Sequence, residues 1–556
     1  PSQMARALEI DEIERIVQAF ESSASLLKES GIDAIEINSH CGYIFDEFLT
    51  PLWNKRQDQY GGSLENRLRF IMESIEAIKR GAGDDYPILF KYGLTHYLDG
   101  GRTVEEGQEI ARRLEAAGIA GFDIDAGCYE RPWWYIPPTT QPAGCIVDLA
   151  EKTKEVVSVP VISVGKLGEP KLAEKVLRQG RADFIGLGRS LLADPEWSNK
   201  VKEGWAEDVR PCLGCMEGCV DRMRVDDYVS CTVNPATGME TEYTIEPAQK
   251  PKSLLIIGGG PSGIEAAMIA AQRGHKVTIW EKGRVLGGNL RLAAAPEFKQ
   301  DYRRLIDYFE TQVKKLGIKV KLGKEATVKA VEEFGPDAVI IASGGLATYP
   351  NIHGKDGDNV TSSLDLSKMM RGLLTGSDIR KKKGFKKVIY FLGNIFGRFM
   401  KPAAINFMSK FWLPFGKRVI IIGAGYDGCE MALMLAQRGR KVTVLESGPQ
   451  AEVLKQMFAT AAFHLLKLLA DNGVTVLTDT KAMKITDEGV IVSAKDGKKS
   501  TLEADTVMIT VEVKPDDKLL KALKGKVGEV HAVGDCVEPG RAIKVLWPAF
   551  HLARQI

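Results

Sequence analysis

Four cysteines between residues 212 and 231 have the residue type and spacing of metal ligands. They follow the pattern C-x2-C-x3-C-x11-C and are Cys212, Cys215, Cys219 and Cys231. Four thiolates suit either a zinc ion or an iron–sulfur cluster. Zinc ribbons usually pair two C-x2-C knuckles, whereas three close cysteines with one distant partner are typical of cluster loops. The spacing therefore favours a [4Fe-4S] cluster, with zinc or free thiols as the alternatives.

Two glycine-rich loops have the pattern of dinucleotide-binding sites. Residues 254–281 and 419–446 are two copies of a strand, loop, helix and second strand, each with G-x-G-x-x-G and an acid eighteen residues after its last glycine. Glycines let backbone amides approach a pyrophosphate at a helix N-terminus, and the acid accepts hydrogen bonds from a ribose. Two copies in register favour two bound dinucleotides over ordinary glycine turns. The residues are Gly258, Gly260, Gly263 and Glu281 in the first copy, and Gly423, Gly425, Gly428 and Glu446 in the second.

The two copies are expected to bind different dinucleotides. This half of the chain resembles the two-dinucleotide flavoprotein reductases. Gly288 in "GRVLGGNL" and Asp535 in "VHAVGDCVEPG" match FAD-binding positions of that group, which implies FAD at the first copy. In the second copy, Glu446 would repel the 2′-phosphate of NADP. NADH is therefore favoured, while NADPH stays an alternative.

Strand-like runs before residue 205 must position any chemistry in the first part of the chain. They alternate with helix-period stretches, which indicates parallel strands joined by crossover helices. Polar or glycine residues follow the runs at Asn38, Lys91, Gly127, Gly165 and Gly188, the strand ends at which barrel enzymes place their active sites. The prediction is an α/β fold that begins with strands 4–8 of a TIM barrel truncated at its N-terminus.

Three motifs add a family resemblance. Residues 54–70, 186–197 and 212–235 resemble the Old Yellow Enzyme-like NADH:flavin oxidoreductases with iron–sulfur and FAD/NAD domains. Members include 2,4-dienoyl-CoA reductase, enoate reductase, trimethylamine dehydrogenase and bile-acid enone reductases. The resemblance implies FMN in the barrel, and a barrel that begins upstream of Pro1.

The same resemblance implies which residues hold FMN. Gly165, Gly188 and Arg189 match the positions at the FMN phosphate. Lys91 lies where the family usually has an arginine near the flavin N1 and O2 edge. Lysine keeps the positive charge there but lacks the planar fork of arginine.

The stretch "IEINSHCGYIFDEFL" corresponds to the catalytic segment of the family. Strand alternation places Glu36 and Asn38 toward the barrel interior. Tyr43 matches a tyrosine that donates a proton, whereas Asn38 and Cys41 replace the two side chains that normally bind the substrate carbonyl. An amide still donates a hydrogen bond, but a thiol donates poorly. His40 is interpreted as a packed neighbour.

The motifs divide the chain into five segments. Composition adds that 75 basic and 73 acidic residues nearly cancel, so nucleic-acid binding is not expected, and that the cysteine usage fits a reducing compartment such as the cytoplasm. The segments are the FMN barrel part (1–205), the cysteine segment (206–250), an FAD-binding Rossmann domain (251–364, completed by 516–556), an insert (365–415) and an NAD(H)-binding Rossmann domain (416–515).

The insert has an unusual composition. Residues 379–418 are apolar, aromatic and basic, with no acidic residue. The longest uncharged piece before Arg398 is about ten residues, too short to span a bilayer. Residues 379–415 could contact a membrane surface or a partner subunit, cover a hydrophobic substrate, or form an ordinary helical subdomain.

Together these features favour an NADH-dependent reductase of an activated C=C bond. The resemblance implies that an enoate, an enoyl- or dienoyl-CoA, or a steroid-like enone receives hydride from FMN and a proton from Tyr43. The alternatives are an amine dehydrogenase of the trimethylamine dehydrogenase type, or an electron-transfer or membrane-docked subunit without its own turnover. A small-molecule substrate and a homo-oligomer are expected.

Overall fold

The chain forms two compact units, Pro1–Gly188 and Arg189–Ile556. The computed structural model describes residues 6–225, 227–374, 378–379, 384–396, 401–411, 413, 415–455 and 457–556. Both units contain five-stranded parallel sheets with helices between the strands, which confirms the predicted α/β class.

The first unit has one parallel sheet whose strand order follows the sequence. Each strand pairs with the next one along the chain, as expected for consecutive strands joined by helical crossovers. The strands are β1 (Ile35–Ser39), β2 (Ile88–Gly93), β3 (Gly121–Asp125), β4 (Val161–Ser163) and β5 (Phe184–Ile185).

Helices cover this sheet through apolar faces. Leu68, Ile71, Ile75 and Ile78 recur at helical spacing on the third helix and are buried in the same core as the strands. Ser63 caps this helix by accepting a hydrogen bond from an N–H of its first turn. The helices are α1 (Ile10–Glu29), α2 (Ile44–Leu49), α3 (Leu64–Ala82), α4 (Val104–Ala116), α5 (Pro132–Tyr135), α6 (Val147–Lys154) and α7 (Pro170–Arg178).

The second unit contains two parallel sheets in which four strands have the same order, while the fifth strand comes from a different place in the chain in each sheet. Their orders are β20-β9-β6-β7-β8 and β11-β18-β12-β13-β14, and the pairs Leu254 with Val277 and Val419 with Val442 show the same register in both. The strands are β6 (Ser253–Ile257), β7 (Lys276–Glu281), β8 (Lys319–Leu322), β9 (Ala338–Ile341), β10 (Leu346–Thr348), β11 (Val360–Ser362), β12 (Arg418–Ile422), β13 (Lys441–Leu445), β14 (Thr475–Leu477), β15 (Thr480–Thr486), β16 (Gly489–Ala494), β17 (Lys499–Glu503), β18 (Thr506–Ile509), β19 (Glu512–Lys514) and β20 (Glu529–Ala532).

Smaller sheets and helices complete the second unit. Strand β10 pairs antiparallel with β19, and β15, β16 and β17 form an antiparallel sheet. The α-helices are α8 (Arg189–Ala193), α9 (Trp197–Lys202), α10 (Val220–Met223), α11 (Pro261–Gln272), α12 (Leu290–Ala293), α13 (Gln300–Lys315), α14 (Val328–Phe334), α15 (Ser363–Arg371), α16 (Gly384–Phe396), α17 (Pro402–Ser409), α18 (Tyr426–Ala436), α19 (Ala459–Asp471), α20 (Lys518–Leu523) and α21 (Ala542–Gln555). Short 3-10 helices span Ala206–Asp208, Glu297–Lys299, Gln450–Glu452 and Gly534–Cys536.

Helices α16 and α17 belong to the predicted insert, of which residues 375–377, 380–383, 397–400, 412 and 414 lie outside the described part. The Tyr390 hydroxyl is 2.8 Å from Thr361 Oγ1, and Arg438 Nη2 donates to Asn406 Oδ1 at 2.5 Å. Phe407 and Phe411 remain 62% and 77% exposed. No helix in the described part of the chain combines the length and apolar composition that crossing a bilayer requires. A membrane-surface or partner-subunit role of 379–415 stays a prediction.

Candidate functional site

Parallel register brings polar side chains into one row across the first sheet. Asn38 on β1 is the register partner of Lys91 on β2, and Lys91 is the partner of Asp123 on β3. Lys91 Nζ donates to Asp123 Oδ2 at 2.6 Å. Lys91, which the family resemblance predicts near a flavin edge, is thus held by the carboxylate of Asp123, which no sequence motif indicates.

Charges around this row are strongly coupled. Burial lowers the pKa of Lys91, but the carboxylates of Asp125 and Asp123 outweigh that effect and raise it. Burial raises the pKa of Asp123, and burial together with Asp123 raises the pKa of Glu36. Lys91 therefore stays cationic, while the two acids bind protons more readily than usual.

His40 belongs to this site and not only to the packing around it. Its Nδ1 lies 2.9 Å from Oδ2 of Asp125, at the end of β3. Its ring meets Tyr43 and Tyr135 edge-on, with centroids 5.6 and 6.3 Å away. The signal in the sequence was the strand "GFDIDAG", in which carboxylates occupy positions of a buried strand that need a partner.

Tyr43 and Cys41 are neighbours in the turn after β1. Cys41 is 3% exposed with a left-handed φ of 51°, and burial raises the pKa of its thiol to about 12. Tyr43 is 44% exposed, and the Cys41 thiol together with partial burial raises the pKa of the phenol. Tyr43 therefore keeps its proton at neutral pH, whereas Cys41 has little surface to offer a substrate.

A buried ion network fixes this turn. The Asp46 carboxylate, with a fully buried side chain, accepts from Gly42 N at 2.8 Å, pairs with His96 Nε2 at 3.1 Å, and forms an ion pair with Arg102. Arg102 also donates to Gly93 O at 2.5 Å, at the end of β2. The turn after β1 is thus tied to the loop after β2. No sequence motif reveals this network, although the two adjacent acids within "YIFDEFL" were a signal.

Two glycines lie beyond the ends of the adjacent strands β4 and β5. Gly165 has a left-handed φ of 97°, and a Cβ on it would lie 2.5 Å from Ile146 Cγ1. Gly188 faces open space, since nothing lies within 4 Å of a Cβ there. An open glycine at a parallel strand end suits a phosphate approaching the backbone. The predicted contact of Gly165 and Gly188 with an FMN phosphate stays a prediction.

The four cysteines lie around a single cavity in the second unit. Gly214 and Met216 take left-handed φ values of 63° and 65°, which turns the chain between Cys212 and Cys219. Ser230 N and Oγ both donate to Gly218 O, at 2.9 and 2.7 Å, and bring Cys231 against this loop. The cavity has a volume of about 20 Å³, and Cys212, Cys215, Cys219, Cys231 and Arg189 are among its lining residues.

Three thiols of this cavity, those of Cys215, Cys219 and Cys231, favour their protonated form. Burial raises the pKa of Cys215 and Cys219, and raises that of Cys231 to about 12. Arg189 acts in the opposite direction on Cys219. A bound cation would therefore displace thiol protons on binding. The assignment of Arg189 to the FMN phosphate stays a prediction, since the structure places it at this cavity.

The donor set fits a metal group that is held by four thiolates. Four sulfurs bound to one zinc ion at about 2.3 Å lie roughly 3.8 Å apart. Among the residues that the structure describes, no His, Cys, Asp or Glu side chains form a group of three or more arranged to hold an ion. The four cysteines nevertheless line one cavity, and four thiolates are a suitable donor set for either zinc or an iron–sulfur cluster. The [4Fe-4S] cluster itself stays a prediction.

The two glycine loops have the same geometry. A Cβ on Gly263 would lie 1.9 Å from Gly258 O, and one on Gly428 would lie 2.1 Å from Gly423 O, so close helix–strand packing excludes a side chain. The middle glycines, Gly260 and Gly425, have nothing within 4 Å of a Cβ and immediately precede α11 and α18. Open backbone at a helix N-terminus fits a pyrophosphate in both copies.

The two acids lie beside their loops but differ in burial. Glu281 is 2% exposed and accepts from Gly259 N at 2.8 Å and Gly283 N at 2.5 Å, with Arg371 Nη2 at 3.1 Å. Glu446 is half-buried and accepts from Gly448 N at 2.9 Å and Ala424 N at 3.2 Å. Arg371 is a partner that the motif does not reveal.

Gly288 and Asp535 are close to the first loop. A Cβ on Gly288 would lie 3.0 Å from Gly260 Cα, and one on Gly534 would lie 2.3 Å from Ser262 Oγ on α11. Asp535 therefore follows a residue that touches the helix N-terminus. Burial raises the pKa of Asp535. The structure thus brings the predicted FAD positions of the first copy together, although their ligand stays a prediction.

Comparisons with known proteins identify relatives over nearly the whole chain. Residues 1–208 match the NADH:flavin oxidoreductase / NADH oxidase family, and residues 252–544 match the pyridine nucleotide-disulphide oxidoreductases. An NADH oxidase from Thermoanaerobacter brockii is 35% identical, with 99% of this chain and 79% of the relative covered. A cinnamate reductase from Clostridium sporogenes is 34% identical, with 100% and 79% covered. A solved complex of 2-naphthoyl-CoA reductase with 2-naphthoyl-CoA matches with a TM-score of 0.86 and 32% identity, covering 99% of this chain and 78% of that chain.

Proposed function

Because this chain belongs to the NADH:flavin oxidoreductase / NADH oxidase family, and its second half to the pyridine nucleotide-disulphide oxidoreductases, we propose that it uses NADH to reduce an activated C=C bond. The main support is Tyr43, a partly exposed phenol that keeps its proton beside the polar row at the strand ends. A proton donor to carbon must be protonated before the reaction. The names of the relatives cinnamate reductase and 2-naphthoyl-CoA reductase support a double bond conjugated to a carboxyl or thioester group.

Two dinucleotides and two further redox groups belong to this proposal. When bound, FMN, FAD and a [4Fe-4S] cluster supply the hydride and single-electron transfers that side chains cannot perform. Lys91 would place a positive charge beside FMN. The first glycine loop, with Glu281, Gly288 and Asp535, would hold FAD, and the second, with Glu446, would hold NADH. We also assign the first sheet to five strands of an eight-stranded barrel, on the basis of its sequential parallel order.

The side chains of the chain have separate tasks in this reaction. Tyr43 donates a proton to the α carbon of the substrate and regains one from solvent. The Asp46 network holds the turn that aims Tyr43. Asn38 is exposed beside Lys91 and can donate from its amide. Cys41, buried behind Tyr43, excludes water from one side of the phenol.

The proposal is tested with the holoprotein under anaerobic conditions. NADH is supplied with trans-cinnamate, cinnamoyl-CoA or 4-phenyl-3-buten-2-one, and the saturated product is measured by mass spectrometry. We expect Tyr43→Phe to lower product formation about 10²-fold while NADH-driven ferricyanide reduction stays unchanged. Iron and acid-labile sulfide are expected at about four each per chain. Tyr86→Phe is the matched control, because Tyr86 precedes β2 at the opposite end of the strand and donates to Ile32 O.

Three outcomes would contradict the proposal. NADH consumption without saturated product from any of the three probes would favour an electron-transfer subunit. Flavin bleaching by an amine in the absence of NADH would favour a dehydrogenase. Zinc in place of iron would remove the cluster from the proposal.

A further inference from the structure

His40 and Asp125 form a pair to which the proposed function gives no role. The pair is largely buried, with side-chain exposures of 15% for His40 and 5% for Asp125. His40 Nδ1 faces the carboxylate at 2.9 Å, which leaves Nε2 as the free end of the ring. Within the described part of the chain, Nε2 has no hydrogen-bond partner. A histidine held at one nitrogen and open at the other is oriented toward a ligand.

The residues that replace the usual oxygen-binding side chains do not supply a strong donor. Cys41 is buried and its thiol donates poorly. Lys91 is engaged with Asp123. Asn38 is a neutral amide, weaker than a charged donor. Lys91 is thus the charged donor among these three residues, and its contact with Asp123 leaves His40 as the open donor beside Tyr43.

We propose that His40, oriented by Asp125, donates a hydrogen bond from Nε2 to the oxygen that is conjugated with the double bond of the substrate. This inference rests on the proposed function, whose proton donor, Tyr43, has its ring 5.6 Å from that of His40. In the imidazolium form both ring nitrogens donate, Nδ1 to Asp125 and Nε2 to the ligand. The charged groups that surround the pair are Glu36 on β1, Lys91 on β2 and Asp123 on β3.

The hydrogen bond would strengthen during the reaction. Hydride addition to the β carbon moves the electron pair of the double bond onto the conjugated oxygen, which becomes an enolate. Tyr43 then protonates the α carbon, and the electron pair returns from the oxygen to form that C–H bond. His40 keeps its proton throughout. Removing one donor from such an oxygen typically lowers turnover by about 10²–10³-fold.

The test compares His40→Ala with the wild-type holoprotein, using 4-phenyl-3-buten-2-one as the reducible probe. We expect kcat/KM for the enone to fall about 10²-fold, while the rate of NADH-driven ferricyanide reduction is unchanged. Added imidazole should restore at least a tenth of the lost activity, because it can occupy the space of the deleted ring. It should not restore Tyr43→Phe. Asp125→Asn is expected to fall about tenfold, since the ring remains but loses its orienting carboxylate.

Binding provides a readout that is independent of turnover. The saturated ketone 4-phenyl-2-butanone should bind His40→Ala at least tenfold more weakly than wild type by isothermal titration calorimetry. His353→Ala, at an exposed position of the second unit, is the matched control and should change neither binding nor turnover.

The outcomes separate this inference from the proposed function. If wild type forms no saturated product, the proposed function fails, and the ketone affinities alone decide about His40. Activity and affinity of His40→Ala within threefold of wild type would overturn the inference, as would absence of ketone binding to wild type. A loss of activity that imidazole does not restore would indicate a purely structural role and would also overturn it.

Discussion

The two nucleotide-binding folds of the second unit are built on the same backbone but are stabilised by different partners. Equivalent residues are 165 positions apart, as Gly258 and Gly423 show. The order of four strands, the register and the close approach of the third glycine are the same in both. The side chains that contact each motif come from outside the repeat. These contacts determine which amino-acid substitutions each copy tolerates.

A buried glutamate shows the difference most clearly. Glu265 on α11 and Glu430 on α18 occupy equivalent positions and are 2% and 5% exposed. Glu430 Oε1 lies 2.5 Å from Nζ of Lys299, which is itself fully buried. Glu265 has Arg210 as its nearby charge, but Arg210 donates to Tyr308 and to Val233 O. Among the residues that the structure describes, one copy thus has a closed ion pair, and the other a carboxyl without one.

The largest expected effect is from breaking the closed pair. Glu430→Gln leaves the Lys299 ammonium buried without its carboxylate, which should lower the local stability of α18 by about 3–5 kcal/mol. Native-state hydrogen exchange of peptides from α18 measures this, because it reports local opening and not only global unfolding.

The double variant Lys299→Met/Glu430→Gln is the control for this loss. It removes both charges, so we expect it to recover much of the stability lost in the single variant. If Glu430→Gln is no less stable than the double variant, the ion pair contributes nothing to stability. The two copies would then not differ at their buried glutamates.

The repeat explains which parts of this fold and site could be predicted. The glycines, Glu281, Glu446 and the cysteine cavity follow from local spacing, since the chemistry of each motif lies within a short segment. Other partners come from distant segments, such as Arg371 for Glu281 and Asp125 for His40. Only the folded chain brings them together. The pairing of β11 with the second sheet is likewise a long-range contact of a three-residue strand, with no periodicity to reveal it.

The first glycine of each copy provides the second contrast. Both have left-handed φ values, 114° for Gly258 and 110° for Gly423, so alanine strains both. A Cβ on Gly258 would lie 2.2 Å from the backbone oxygen of Ala342, whereas one on Gly423 would lie 2.1 Å from the side-chain Oγ1 of Thr510. We expect losses of about 3 kcal/mol for Gly258→Ala and about 2 kcal/mol for Gly423→Ala, measured by hydrogen exchange at β6 and β12.

Thr510→Ala tests the reason for that difference. In the Gly423→Ala background it removes the clashing hydroxyl and should restore about 0.5–1 kcal/mol as a coupling energy. Equal losses at the two glycines, or no coupling with Thr510, would mean that backbone strain alone accounts for both.

The unpaired glutamate should respond to pH in a way that its counterpart does not. Burial raises the pKa of Glu265 to about 7, against about 4.3 in an unfolded chain. Between these values the folded state retains the proton that the unfolded state has lost, so its stability falls as pH rises through the window. Glu265→Gln should therefore stabilise α11 by about 3–4 kcal/mol at pH 8 and leave it nearly unchanged at pH 4. The measurement is hydrogen exchange, corrected for intrinsic exchange rates. The prediction is contradicted if the stability difference between wild type and variant is the same at pH 4 and pH 8.

The smallest effect concerns which nucleotide the second copy accepts. Glu446 is half-buried and is held by backbone amides, whereas Glu281 is buried and also paired with Arg371, so only Glu446 can lose its charge without leaving an arginine unpaired. A carboxylate there repels a 2′-phosphate, and a neutral amide does not. Glu446→Gln should raise the ratio of kcat/KM for NADPH over NADH about tenfold with ferricyanide as acceptor, which corresponds to about 1.4 kcal/mol. Glu488→Gln, at an exposed position of the same unit, should leave the ratio unchanged. An unchanged ratio in Glu446→Gln would mean that this carboxylate does not face the ribose. The different surroundings of Glu281 and Glu446 would then have no effect on which nucleotide binds.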